Sequence, residues 1–520
     1  MRKLAVAITT LAFAACGDDG SHDHPIDART VDGAVVDAPA PDATATDAAT
    51  PDAVAIDAAP PIDAPDVDAA PPIDAAPPID AAPPIDAPPP PPMSAVWYAG
   101  DWAADNLYKA GKFIDGAALP ITTPASVVPG TQASADELPT STPVFDATPA
   151  GDRVAFLADS TTTGRYDLYI AAGDGSNPQL VYTPGATEVI GSIAMSPDGT
   201  KIAFMADGTT DGAQDLYVVT AAAASTPVRV STRDAAGTAT ALNVFRVFTW
   251  SSNSRYLAFS GDLNVDGEDE VFVRDTMTNT TATVLSATDI VVDAAATGAR
   301  GIRGAPLFDA MNNVWFRARI AAGTTPPFQL FSAAADGSAR TAMTSPTRAD
   351  ATTAEIGAFT ISPNGSSIAY SADAPLATAY EIYFAPVLMP TMTVRLTSGT
   401  IRAGGNVEFT NIPMVFSPDG TQLAFAADFE LEGEYEPYVA TAGTANTARR
   451  LVSLTIANTD CDQVAWTLDA AAVYCRGDLL VNNDTSLFRL NPAMTDQTPV
   501  LAAGVPTGGD LNDLRITRAP

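Results

Sequence analysis

Residues Gly261 to Val273, GDLNVDGEDEVFV, put oxygen-bearing side chains at alternate positions. Counting from Asp262, the side chains of Asp262, Asn264 and Asp266, the carbonyl of Glu268 and the carboxylate of Glu270 fall at positions 1, 3, 5, 7 and 9, the oxygen set a hard cation such as calcium needs. Position 12 is Val273, so no bidentate glutamate is available. The same frame recurs as Asp159, Gly164, Asp167; as Asp207, Gly212, Asp215; and as Asp428, Gly433, Glu436. Recurrence makes the frame a property of a repeated hairpin, in which Asp begins the loop, Gly permits positive φ and the closing acid opens the next strand. Only the extra donors Asn264 and Asp266 argue for calcium in the first loop. The Asp428 loop offers the bulkier Glu430, Glu432 and Glu436 with the Glu434 carbonyl, a poorer fit to a tight loop.

Other chemistry is sparse. The two histidines, His22 and His24, both precede Met93, so the remainder of the chain has no imidazole for a nucleophile, a general base or a transition-metal site. No G-x-S-x-G, H-E-x-x-H, C-x-x-C or P-loop motif occurs. Lysine beyond Met93 is confined to Lys109, Lys112 and Lys201, which disfavours Ser-Lys and Schiff-base mechanisms. The expectation is a protein that is not an enzyme; carboxylate pairs of the kind glycosidases use are the one catalytic device left open. Cys461 and Cys475 flank one turn on strands expected to run antiparallel. In an oxidising compartment they form a disulfide, or, being slightly off direct opposition, two buried free thiols.

The elements that carry these residues form a repeat of about fifty residues. SPDGTKIAFMAD at 196–207 and SPDGTQLAFAAD at 417–428 are its cleanest copies, and five degenerate copies begin at Thr148, Ser251, Asp309, Ser362 and Thr467. Each unit reads as four strands. In the second, SIAM precedes an SPDG type I turn, and KIAFMA, DLYVVT from Asp215 and PVRVST from Pro227 follow. Helical periodicity is absent between them. A four-stranded unit repeated at this period implies an all-β fold, a single β-propeller of four-stranded blades. VWYAGDWAADNLYKAGKFIDGAALPIT from Val96 lacks a first strand, and DLNDLRITRAP from Asp510 supplies a lone one. Seven whole blades and one blade shared between the two ends predict eight; seven is the alternative.

SPDGT followed by an aliphatic-Ala-Phe strand, Asp and DLYV resembles the TolB-like propeller repeat, a relative of WD repeats, over about Val96 to Pro520. That resemblance specifies the fold and is nearly silent on function. The chain departs from the Tol proteins in lacking a small preceding domain, and from prolyl oligopeptidase-type enzymes in having no residues to spare for a hydrolase domain. The Asp262 loop resembles the calcium hairpins of integrin-type propellers more than an EF-hand.

Ahead of the repeat, residues 1–15 form a signal peptide, with Arg2 and Lys3 before an apolar run from Leu4 to Phe13. Ala14 and Ala15 before Cys16 resemble a bacterial lipobox, which implies lipidation at Cys16, although Phe13 stands where Leu is usual. Gly17 favours the outer membrane. Residues 16–93 are rich in Ala, Pro and Asp, with AAPPID recurring from residue 58, and cannot build a core. At about 3.1 Å per residue they form a tether reaching on the order of 200 Å. The propeller occupies 94–520. A net charge of -34 excludes nucleic acid and anionic membrane surfaces as partners. Together these features imply a monomeric, lipid-anchored envelope module that binds or scaffolds a protein, peptide or glycan. A carboxylate-dependent hydrolase or lyase at the channel mouth is the alternative, and a self-associating surface-layer component a third reading.

Overall fold

The structure, a computed structural model, describes residues 94–101 and 108–114 and most of 145–518; the longer undescribed stretches within that range are 208–213, 232–243, 264–269, 285–304, 320–326, 398–404, 408–413 and 503–509. Cys16, His22, His24 and the Ala/Pro/Asp-rich segment lie outside the described residues. Every described residue falls in the compact unit Asp86–Pro520.

Seven antiparallel sheets follow one another at 145–182, 190–229, 244–284, 307–342, 356–395, 414–450 and 461–490. Six have four strands in chain order; the seventh has three, with Leu501 bridging to Phe488 where a fourth would run. A further sheet joins distant segments, Ser94–Asp101 pairing with both Tyr108–Ile114 and Asp510–Arg518. First strands of successive sheets lie against one another from Phe145–Ala147 to Cys461–Trp466, and Asp510–Arg518 touches both of those. This stacking of small sheets along their first strands is a β-propeller arrangement. No helix occurs among the described residues.

Second strands carry the core. Lys201–Ala206, Tyr256–Gly261, Ser367–Ala372 and Gln422–Ala427 are buried from their second residue onward, because neighbouring sheets cover both faces. That double burial explains why they read as continuous apolar runs instead of alternating ones. In six sheets an aromatic on the second strand faces one on the third in direct register: Phe156 and Tyr169, Phe204 and Tyr217, Phe259 and Phe272, Phe316 and Phe331, Tyr370 and Tyr383, Phe425 and Tyr438. Such a stacked pair contributes about 0.5–1.5 kcal/mol beyond its buried area. Cys475 faces Phe488 at that position in the seventh sheet, and Cys475 is bonded to Cys461 with Cα atoms 5.8 Å apart.

Fourth strands are shorter than their sequences suggest. PVRVST yields only Val228–Arg229, and four other sheets also end in two-residue strands. These are outer edges with a partner on one side, and brevity there limits pairing with other chains.

The turns between first and second strands are alike throughout. In each, the amide of the fourth residue donates to the carbonyl of the first, as Gly199 to Ser196 (2.8 Å), Ser254 to Ser251 (2.9 Å) and Ala470 to Thr467 (3.0 Å). That fourth residue has positive φ in all seven: Gly151, Gly199, Ser254, Asn312, Gly365, Gly420 and Ala470. Consecutive tips nest. A Cβ on Gly365 would collide with the Ala310 amide, whereas Ser254 uses its hydroxyl to accept the Asp198 amide at 3.0 Å.

Candidate functional site: the acidic hairpins

Between second and third strands lie the loops whose acids invite a functional reading. Asp262, Asn264, Asp266 and Glu268, four of the five calcium donors expected from sequence, lie outside the described residues. Glu270 opens the third strand of its sheet opposite Gly261 and is partly buried. Among the described residues, no group of three or more His, Cys, Asp or Glu is placed to hold a metal ion.

Asp159, expected to begin its loop, lies instead within the strand Arg153–Thr162. In other sheets the acid that follows the second strand, inside the frame or at the same place in sheets without it, has a structural task. Asp207 accepts the Val189 amide at 2.6 Å, Asp373 the Glu355 amide at 2.6 Å and Asp478 the Asp460 amide at 2.5 Å. Each bond ties the end of the second strand to the entry of the first, satisfying an amide that the ladder leaves unpaired. Asp428 closes its own loop, accepting the Gly433 amide at 3.3 Å, and Gly433 takes the positive φ assigned to it.

In three sheets the acid that opens the third strand meets an arginine from the fourth strand. Asp215 accepts the Ser231 hydroxyl at 2.8 Å, with Arg229 at 3.5 Å; Glu381 accepts Thr397 at 2.9 Å, with Arg395 at 3.3 Å. Glu436 faces Arg450 at 3.2 Å and accepts the Leu454 amide at 3.2 Å. In all three the arginine follows its acid by fourteen residues, a spacing that becomes readable only once the structure gives the register of a two-residue strand with no pattern of its own. Asp167 departs from this scheme and has Arg165 beside it at 4.0 Å.

Electrostatics differ among these groups. Burial pushes the Glu381 carboxyl above its usual range, against the pull of Thr397 and Arg395. Burial likewise raises Glu436, opposed by the Leu454 amide and Arg450. Arg450 is the hub of its cluster. Burial works against its charge, but Asp496 at 2.7 Å, with Glu436 and Glu430, raises its pKa nonetheless. Glu430 and Glu436 therefore converge on one guanidinium with unequal solvation, the former side chain 56 % exposed and the latter 1 %. The arrangement holds strands three and four together and neutralises the buried acids.

No family model matches the sequence, and no curated protein matches it. Solved structures do resemble it. A dipeptidyl peptidase 4 of Porphyromonas gingivalis is 12% identical, with a TM-score of 0.51 over 78% of this chain and 58% of that one, which shows a shared fold. This chain therefore spans little more than half the length of that peptidase. A putative TolB of Agrobacterium tumefaciens matches at 15% identity and a TM-score of 0.33, over 54% of this chain and 85% of that one. The β-propeller domain of the trilobed protease of Pyrococcus furiosus matches at 12% identity and a TM-score of 0.39, over 69% and 94%.

Proposed function

We propose that this chain is a lipid-anchored envelope protein whose propeller binds or scaffolds a protein, peptide or glycan partner. The observation that carries this reading is how the hairpin acids are used. Asp207, Asp215, Asp373, Glu381, Glu436 and Asp478 are each bonded to an amide, hydroxyl or arginine of their own sheet, so their chemistry goes into holding strands together. What the fold offers outward is surface, the usual asset of a propeller. Crosslinking in intact envelopes should recover a specific partner; recovery of nothing above background would count against the reading.

The finer architecture belongs to the same proposal. Eight blades, the last built from 94–101, 108–114 and 510–518, form a ring without exposed edges, a reading supported by the contacts of Asp510–Arg518 with both the first and the seventh sheets. Residues 16–93 act as a tether from a lipidated Cys16 at the outer membrane, checked by acyl labelling of wild type against Cys16→Ser. The Cys461–Cys475 bond forms on export. Calcium binds the Asp262 loop through Asp262, Asn264, Asp266, Glu268 and Glu270, and chelator should then lower the unfolding midpoint.

A second reading draws on the convergence of Glu430 and Glu436. Two carboxyls of unequal solvation are a starting point for acid and base roles in a hydrolase or lyase. Arg450 between them argues for structure first. Any activity toward acidic polysaccharides or peptides that Glu430→Gln abolishes would reverse the order of the two readings.

A further inference from the structure

Two residues past the inner aromatic of the third strand, six of the seven sheets bury a small or aliphatic side chain: Ala171, Val219, Ala333, Ala385, Ala440 and Leu490. The third sheet has Arg274 there, opposite Leu257 and only 5 % exposed. Its Nε is buried without an acceptor, and among the described residues no carboxylate pairs with it. The neighbouring Asp275 is held by Arg255 at 2.7 Å. Burial pulls the Arg274 pKa down, offset only in part by Asp275. A guanidinium whose Nε is buried without an acceptor, and whose nearby Asp275 is already held by Arg255, is costly and rarely kept unless something else pairs with it.

Arg274 lines a cavity of about 320 Å³ between the second and third sheets. Val218, Val228 and Met277 form apolar walls; Thr220 and Thr226 add hydroxyls. Lys201 supplies a second cation at the rim, its Nζ held 3.3 Å from the Ser254 carbonyl. In a chain of net charge -34 this is a local concentration of positive charge facing an apolar space.

We infer that this cavity is a binding site for a small organic carboxylate with a short aliphatic body. The planar fork of Arg274 matches a carboxylate through two parallel hydrogen bonds, and Lys201 adds attraction without demanding geometry. The valine and methionine walls take the alkyl part, which inorganic phosphate would leave uncovered. The volume sits at the small end of ligand pockets. The site is separate from the docking role proposed above: failure of the crosslinking leaves it standing, and its own failure leaves the docking role standing.

Calorimetric titration of the full chain at pH 7.5 with hexanoate, hexanamide and inorganic phosphate tests it. Hexanoate should bind saturably at one site, with hexanamide and phosphate at least about tenfold weaker. Arg274→Leu, which installs the side chain of the seventh sheet, should weaken hexanoate at least about tenfold, and Lys201→Gln about threefold. Val228→Trp keeps Arg274 and fills the cavity from its exposed rim; it should also abolish binding. Absence of saturable hexanoate binding, phosphate binding as tight as hexanoate, or unchanged affinity in Arg274→Leu or Val228→Trp would each overturn the inference.

Discussion

Arg450 in the sixth sheet and Arg274 in the third are both largely buried, yet they occupy opposite electrostatic situations. Arg450 has Glu430, Glu436 and Asp496 around it, and its charge is favoured. Arg274 has no pairing carboxylate among the described residues, and its charge is disfavoured. The contrast separates a charge the fold uses from a charge it tolerates. In the first case the protein supplies the counter-ions at contact distance; in the second it supplies only the nearby Asp275, which is itself held by Arg255.

Removing the used charge should do the most harm. Arg450→Met strands Glu436, whose side chain is 1 % exposed, and should cost about 3 kcal/mol in denaturant unfolding at pH 7. The same pair sets a pH dependence. Because the folded Glu436 pKa is raised above its ordinary 4.5, its contribution to stability is present below about pH 4.5 and is lost as pH rises through the folded value. Wild type should therefore lose stability relative to Glu436→Gln across that interval; a flat difference would mean that Arg450 fully offsets burial.

Removing the tolerated charge should act in the opposite direction. Without ligand, Arg274→Leu is expected to stabilise by about 1–2 kcal/mol, since an apolar side chain of similar size replaces an unpaired ion. A loss instead would show that Arg274 has an internal partner and would erase the contrast with Arg450.

Smaller effects distinguish the turns of the same two sheets. Gly420 in the sixth has φ 72° and room for a Cβ, so Gly420→Ala should cost about 1 kcal/mol from backbone strain alone. Ser254 in the third already bears that strain at φ 58°, offset by its bond to the Asp198 amide. Ser254→Gly should thus change the unfolding free energy by less than about 0.5 kcal/mol, the relief and the lost hydrogen bond nearly cancelling.

Much of the fold was legible because its determinants are local. SPDG predicts the turn, and degenerate tips such as Ser254 and Ala470 hold the same conformation. The apolar runs IAFMA and LAFAA locate second strands, since two covered faces demand apolar side chains at successive positions. The hairpin frame was legible as a frame, and Asp207 and Asp428 do begin loops. Its partners were not. Val189 lies eighteen residues before Asp207 and Arg450 fourteen after Glu436, so finding either requires the register of strands that carry no pattern.

By itself, then, the sequence determined the repeat, the turn, the strand order within a unit and the near absence of imidazole, all properties of neighbouring residues or of composition. Only the tertiary structure decided that Glu436 is paired with Arg450 and that, among the described residues, no carboxylate pairs with Arg274. Arg274 and Arg450 look alike along the chain. Their difference arises because one faces three carboxylates, one from the adjacent strand and two from loops, and the other faces a cavity walled by the neighbouring sheet. Burial and pairing depend on what lies across a gap, and no local pattern encodes that.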